Sequence, residues 1–312
     1  MTNHDIIIPS HEDMARVKGL GFLRDKTTPN CFNCRVITRN GKITADEATV
    51  IAEAAKRYGN GEVAMTTRQT IEIQCVPYEN VDPLVAFLRA AGLETGGTGA
   101  KVRPIVSCKG TTCVFGLIDT YELSLAIHER FYRGYHGVKL PHKFKLAVGG
   151  CPNKCVKPDL NDLGVIGQRV PKVDRDKCHG CKVCQVEKVC PMEAATLRDG
   201  KLSIDRGECI NCGRCIPKCP FGAVTEELTG YRVYIGGRWG KKSASGIPLS
   251  KIFETQDEVL DVVEKTILFF RENGRAGERF ADTIARIGFD VAEKEILSDA
   301  ILSRKEAILS KE

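Results

Sequence analysis

Apolar positions along this chain recur with two periods, and the switches between them lay out its elements. The stretch from Phe32 to Thr38 reads as a strand. Thr44-Ala-Asp-Glu47 is a capping box, and it predicts a helix whose apolar face carries Val50, Ile51, Ala54 and Ala55 and which Gly59 ends. Strand-like residues run from Glu62 to Val76, and Asp82-Pro83 opens a second helix that stops before Gly92. Together these form a compact β-α-β-α half-domain. Val102 to Cys108 then reads as a strand, and Val114 to Tyr132 as a helix with its stripe at Leu117, Tyr121 and Leu125. Phe144 to Val148 is a strand that runs into Gly149-Gly150-Cys151. Tyr231 to Ile235 is another, and alternating charge over Gln256 to Glu312 predicts two or three amphipathic surface helices, their charges a solvated face.

From about Pro171 to Val224 the composition becomes rich in Cys, Pro, Gly and Lys, and repeats at an offset of 31 residues. The first run, Cys178-x2-Cys181-x2-Cys184-x5-Cys190-Pro, superimposes on the second, Cys209-x2-Cys212-x2-Cys215-x3-Cys219-Pro. Three closely spaced cysteines followed by Cys-Pro, twice, is the bacterial two-cluster ferredoxin pattern, in which each fourth cysteine ligates the other cluster. One cluster then takes Cys178, Cys181, Cys184 and Cys219, and the other Cys209, Cys212, Cys215 and Cys190. Zinc sites also use C-x2-C spacing but rarely in this doubled form. The two extra residues before Cys190 enlarge a loop without removing a ligand. The motif establishes one-electron transfer and names no substrate.

Fifteen cysteines in 312 residues, mostly in close groups, read as metal ligation in a chain whose first residues show no export signal, so the expected location is the cytoplasm. No apolar run approaches the ~18 residues of a membrane helix. The formal charge of +6 assumes neutral thiols. Each four-thiolate cluster carries about −2, so the loaded protein is near neutral, and no nucleic-acid partner is expected.

Two further cysteine pairs lie outside this module at strand ends: Cys108-Lys-Gly-Thr-Thr-Cys113 and Gly149-Gly150-Cys151-Pro-Asn-Lys-Cys155. With the basic strand Leu140-Pro-His-Lys143-Phe-Lys145, they resemble the nitrite and sulfite reductases that couple sirohaem to a 4Fe-4S cluster. The likeness is greatest to the catalytic subunit of anaerobic, dissimilatory-type sulfite reductases, which carry a ferredoxin insert after the second pair. It covers roughly residues 30 to 240. The first pair encloses one residue fewer than is common there.

The resemblance implies that Cys108, Cys113, Cys151 and Cys155 hold one cluster and that the Cys155 thiolate bridges to the sirohaem iron, making three 4Fe-4S clusters in all. Sulfite is a small dianion whose reduction needs cations that bind its oxygens and supply protons. Thr66-Thr67-Arg68-Gln69-Thr70 and Lys101-Val-Arg103-Pro resemble the segments carrying two arginines, and Lys143 and Lys145, two residues apart on one strand face, resemble the lysine pair. For the sirohaem carboxylates the candidates are Arg35, Thr66, Lys109, Thr111, Thr112, Asn153, Lys154 and Arg238. Cys31-Phe-Asn-Cys34 and Cys75 are left over, as a redox pair, a further metal site or buried thiols.

The expected fold is α+β, a sulfite-reductase-type mixed sheet with helices and an inserted two-cluster ferredoxin module. Residues 1–100 form the half-domain, 101–170 with 225–312 the sirohaem and cluster domain, and 171–224 the insert. No Gly-x-Gly-x-x-Gly opens a nucleotide-binding unit, so electrons are expected from an external ferredoxin or a flavoprotein or iron-sulfur subunit. A single set of motifs points to a homodimer or higher oligomer. Reduction of sulfite to sulfide leads; nitrite reduction to ammonia and a pure electron-carrier role are the alternatives.

Overall fold

The computed structural model describes residues 9–310; the N-terminal residues read above for an export signal lie largely outside them. The chain divides into two compact units. One takes residues to Val106, Ser124–Leu146 and the chain from Thr266 on; the other takes Ser107–Leu123 and Ala147–Lys265. The stretch expected to form the sirohaem and cluster domain is therefore shared between the two.

In the first unit the antiparallel strands run in the order Phe22–Arg24, Cys31–Ile37, Ile71–Pro77, Val63–Met65, with Glu94–Thr95 pairing the end of Cys31–Ile37. The helix Ala45–Tyr58 opens on the expected box: the Glu47 N–H donates to Thr44 Oγ1 at 3.1 Å and the Thr44 N–H to Glu47 Oε2 at 2.8 Å. It buries Ile51, Ala54 and Ala55 against Phe32, Ile73 and, from the helix Val81–Ala90, Leu84 and Leu88. The strand region expected over Glu62 to Val76 is a hairpin broken by a turn at residues 66–70, and with the short strands Phe22–Arg24 and Glu94–Thr95 the sheet has five strands where β-α-β-α has two. Opposite a bulge between Phe32 and Cys34, Cys75 takes a φ of 51° and its N–H donates to Asn33 Oδ1 at 3.0 Å. Cys34 is fully buried, and burial together with contact with Cys75 pushes the Cys31 thiol up to about 12.

The second unit is built on a sheet in the order Ile247–Phe253, Val224–Ile235, Leu163–Val173, Leu146–Gly149, Val106–Ser107. Its centre is the long antiparallel pair Leu163–Val173 and Val224–Ile235, matched from Leu163 with Ile235 to Val173 with Val224. The cysteine-rich segment leaves at Val173 and returns at Val224, directly opposite. Between them lie the helix Gln185–Val189 and the hairpin Ala195–Arg198 with Lys201–Ile204, gathered around Val186, Ala195, Leu202 and Val224.

Three expectations are corrected. The helix expected from Val114 begins at Thr120 and passes into a π-helical turn at His128–Arg133. Residues 114–119 turn instead, because Gly116 packs so closely on the Gly110 carbonyl that a Cβ there would lie 1.8 Å from it. The buried face is Leu123, Ile127 and Phe131, while Leu125 of the expected stripe is 40% exposed. The strand expected over Val102 to Cys108 shrinks to Val106–Ser107, with a single bridge from Val102 to Phe144, because Pro104 has no N–H to continue a ladder. Finally, the helix Gln256–Asn273 is no surface helix: Val259, Val263 and Ile267 through Phe270 are all buried. The helices Phe280–Ile287, Phe289–Leu297 and Lys305–Ser310 follow it.

Within the first unit Phe144, Phe270 and Phe280 meet with ring centroids 5.2 to 5.8 Å apart and are fully buried. Replacing Phe280 by Ala should lower the free energy of unfolding by about 3–5 kcal/mol, read from the urea midpoint. A loss below about 1 kcal/mol would contradict this packing.

Candidate functional site

All four expected cations line one cavity of the first unit, of about 350 Å³, with Lys18, Arg35, Thr66, Thr67, Thr70, Thr98 and Pro104 also on its wall. No carboxylate is among the described residues that line it. The local backbone explains how each cation arrives there. Arg68 sits on the hairpin turn, which Thr66 Oγ1 closes by contact with Thr70 Oγ1 at 2.7 Å while accepting from the Thr70 N–H at 3.2 Å. The Arg68 guanidinium donates to the carbonyls of Pro104, from Nε at 3.1 Å, and Leu146, from Nη2 at 3.0 Å. These backbone oxygens aim it without neutralising it.

Arg103 follows the Val102 bridge, its N–H donating to the Phe144 carbonyl at 2.8 Å and its Nη1 to the carbonyl of Gly97. Its Nε is buried with no hydrogen-bond partner. Burial first, and then the charges of Arg35 and Arg279, lower its pKa to about 10, so it stays charged near neutrality in a field that favours an anion. Lys143 and Lys145 do share one side, as expected, although regular strand begins only at Leu146. The alternation holds because Phe144 between them is anchored in the phenylalanine cluster.

Arg35 reaches the cavity but is paired with Glu72 at 2.7 Å. Lys18 and the run Gly97-Thr98-Gly99 were not expected on the wall. The signal was present in the two glycines, both at positive φ, where backbone can approach a ligand closely.

The second unit carries the cysteines. The Cys151 thiol is pushed up by burial, with smaller contributions from the thiols of Cys108, Cys155 and Cys113, while a backbone bond from Asn153 acts the other way. Cys155 is the exposed member. The turns beneath are held by glycine contact: a Cβ on Gly150 would lie 2.7 Å from Gly110 Cα and 3.5 Å from Cys108 Sγ, and the Gly150 N–H donates to that sulfur at 3.1 Å.

Cys190, Cys209, Cys212 and Cys215 together line one small apolar cavity. Burial and the neighbouring thiols push Cys215 up to about 11. Cys178, Cys184 and Cys219 pack into the core of the same segment, with sulfurs accepting from the N–H of Leu202 at 3.3 Å and of Ala223 at 3.4 Å for Cys178 and Cys219. Among the described residues no three His, Cys, Asp or Glu side chains could hold a single metal ion. A four-iron cluster holds its thiolates farther apart than one zinc ion does.

The residues therefore suit the implied groups. Converging thiols with N–H donors on sulfur fit iron-sulfur clusters, and a buried arginine with an unpartnered Nε fits an anion. Other carboxylate candidates of this unit are already engaged: Thr111 Oγ1 donates to Asp119 at 2.8 Å, Thr112 Oγ1 to the Lys109 carbonyl at 3.3 Å, and Lys154 pairs with Asp159 at 2.8 Å. Asn153 lies beside Cys151 on a cavity wall, and the Arg238 backbone pairs with Ala244.

Two family descriptions match the chain: the nitrite/sulfite reductase ferredoxin-like half domain over residues 24–91, and the nitrite and sulphite reductase 4Fe-4S domain over residues 98–301. The coenzyme F420-dependent sulfite reductase of Methanocaldococcus jannaschii is 31% identical over 90% of this chain, which spans 43% of that protein's length. One subunit of the anaerobic sulfite reductase of Salmonella typhimurium is 30% identical over 74% of this chain and 72% of its own. The crystal structure of dissimilatory sulfite reductase I has the same fold, with a TM-score of 0.69 and 23% identity over 85% of this chain and 69% of that one. No helix among the described residues is long and apolar enough to cross a membrane.

Gly150→Ala should disturb the turn that carries Cys108 and Cys151, since the new methyl has Gly110 Cα at 2.7 Å and cannot be accommodated without backbone movement. The expected result is lower iron per chain in anaerobically purified protein. Iron content equal to that of the parent would show that the turn can give way.

Proposed function

Because the chain belongs to the nitrite and sulfite reductase family, oxidoreductases that join sirohaem to an iron-sulfur cluster, we propose that it reduces sulfite to sulfide with six electrons from an external donor. The observation that carries this reading is the cavity where Arg68, Arg103, Lys143 and Lys145 meet. A dianion entering it faces four cationic side chains and gives Arg103 Nε the acceptor it lacks.

Arg68 and Arg103 act as the clamp on the sulfite oxygens. Arg68 suits this because the carbonyls of Pro104 and Leu146 fix its guanidinium plane. Lys143 and Lys145 supply the protons with which each oxygen departs as water. Cys108, Cys113, Cys151 and Cys155 would hold the catalytic cluster, with Cys155, the exposed thiol, also reaching the sirohaem iron. Sirohaem, when bound, supplies an iron for the sulfur atom and a macrocycle that takes up electrons singly. Lys109, Asn153 and Arg238 are the remaining candidates for its carboxylates, Arg35 being paired with Glu72 and Thr66 engaged with Thr70.

Two more clusters, on Cys178, Cys181, Cys184 with Cys219 and on Cys209, Cys212, Cys215 with Cys190, would make the segment between Val173 and Val224 the electron inlet. A ferredoxin or a flavoprotein or iron-sulfur subunit would be the donor, and a homodimer or higher oligomer the working assembly.

Anaerobic turnover with a reduced viologen, comparing kcat/KM for sulfite and nitrite, tests the reading. Preference for sulfite with stoichiometric sulfide is expected; preference for nitrite changes the substrate, and a protein without porphyrin or turnover is an electron carrier. Lys143→Ala should keep the pigment and slow turnover by about 10²-fold. Cys155→Ser should abolish turnover, and full activity in either variant would remove that residue from the mechanism.

A further inference from the structure

The two ferredoxin-like quartets of the second unit are not equivalent in their surroundings. Cys212 and Cys151 line the same cavity, of about 210 Å³, together with Phe115, Arg169 and Arg214. The loop carrying Cys212 is fastened there: the Arg169 N–H donates to the Asn211 carbonyl at 2.8 Å, and Gly213 lies so close that a Cβ would meet Arg169 Cδ at 2.6 Å. That loop is turned inward, toward the Cys151 quartet.

The loops carrying Cys178, Cys181 and Cys184 contribute nothing to that cavity's wall, the turn before Cys219 reaches it only through Pro217, and many residues flanking these four cysteines are exposed. Val183 is 63% and Phe221 47% exposed, and Phe221 joins the two loops by stacking on His179 with centroids 4.2 Å apart. Around this small apolar centre stand exposed Arg175, Lys177, Lys182 and Lys218, against the carboxylates of Asp174 and Asp176, the first of which pairs with Lys177 at 3.3 Å. Over residues 191–215 the charges balance instead, Glu193, Asp199, Asp205 and Glu208 against Arg198, Lys201, Arg206 and Arg214. The outer face is preformed, because the Lys201 ammonium holds its loop through the carbonyls of Arg175 at 3.0 Å and Cys178 at 2.9 Å.

We propose that this face, centred on Val183 and Phe221 and rimmed by Arg175, Lys182 and Lys218, docks an acidic one-electron carrier protein. The inference rests on reading the segment as a two-cluster electron inlet, and goes beyond it by assigning polarity and partner chemistry. A few exposed apolar side chains are too small a patch for a permanent interface, whereas an apolar spot within a basic rim suits a brief, salt-sensitive encounter. In each encounter the carrier is oxidised by one electron and this protein reduced by one.

The test uses cofactor-loaded protein and a reduced acidic two-iron ferredoxin, measuring its binding and the stopped-flow rate at which it reduces the protein, at low and high salt. Lys182→Glu with Lys218→Glu should weaken binding and slow reduction at least about tenfold at low salt and flatten the salt dependence. Phe221→Ser should weaken binding at both salt levels. Iron content and viologen-driven turnover should be unchanged; if the lysine pair variant loses iron, Arg175→Glu with Lys177→Glu takes its place. Unaltered carrier binding in iron-replete variants would overturn the proposal, as would sedimentation showing that the face joins two copies of this chain. Because binding is read apart from turnover, a protein that reduces neither anion yet binds the carrier through this rim would refute the enzyme reading and leave the docking face standing.

Discussion

Backbone pairing between Leu163–Val173 and Val224–Ile235 is the constraint on which the second unit depends. Gly167 on the first strand lies beneath the Gly150 carbonyl, close enough that a Cβ would be 2.4 Å away. Two residues on, Arg169 bonds the loop of Cys212, and at Val173 the cysteine-rich segment departs. One strand thus supports the turn bearing Cys151, the loop bearing Cys212 and the root of the insert. Ligand loops have little hydrophobic content of their own, so a stiff ladder must supply the rigidity that keeps thiols at cluster spacing.

In the first unit the governing term is electrostatic. Burial first, and then the charges of Arg35 and Arg279, depress the pKa of Arg103 on the wall it shares with Arg68, Lys143 and Lys145. Packing sets the geometry of that wall: Phe144 is locked among Phe270 and Phe280 and turns its lysine neighbours to the cavity side. The orientation of the two lysines is in this way derived from core burial, which is harder to perturb than a surface ion pair.

Features governed by neighbouring residues were legible in the sequence. The Thr44–Glu47 box opens its helix as read, because both partners lie within one turn. The spacing of the cysteines is a short-range pattern, and the structure brings Cys190, Cys209, Cys212 and Cys215 onto one cavity; the four cations followed from family resemblance and do share a cavity. What escaped depends on distant contacts. The pairing of Arg35 with Glu72 joins residues far apart in sequence. The late start of the helix at Thr120 comes from the Gly116 approach to Gly110, and its buried face is chosen by partners no periodicity reveals. The helix Gln256–Asn273 carries enough charge to look solvated, yet most of its second half is core.

The segment between Val173 and Val224 enters and leaves through two residues already paired across an antiparallel ladder. Its ends are therefore held at the separation that a short hairpin turn would impose, whatever lies between them. Loop length adds to closure entropy only logarithmically, so the sheet is nearly indifferent to the size of what it carries. Such a joint lets a cysteine-rich cassette be lengthened, shortened or exchanged without redrawing the host sheet, which leaves this segment freer to change than the ladder that carries it.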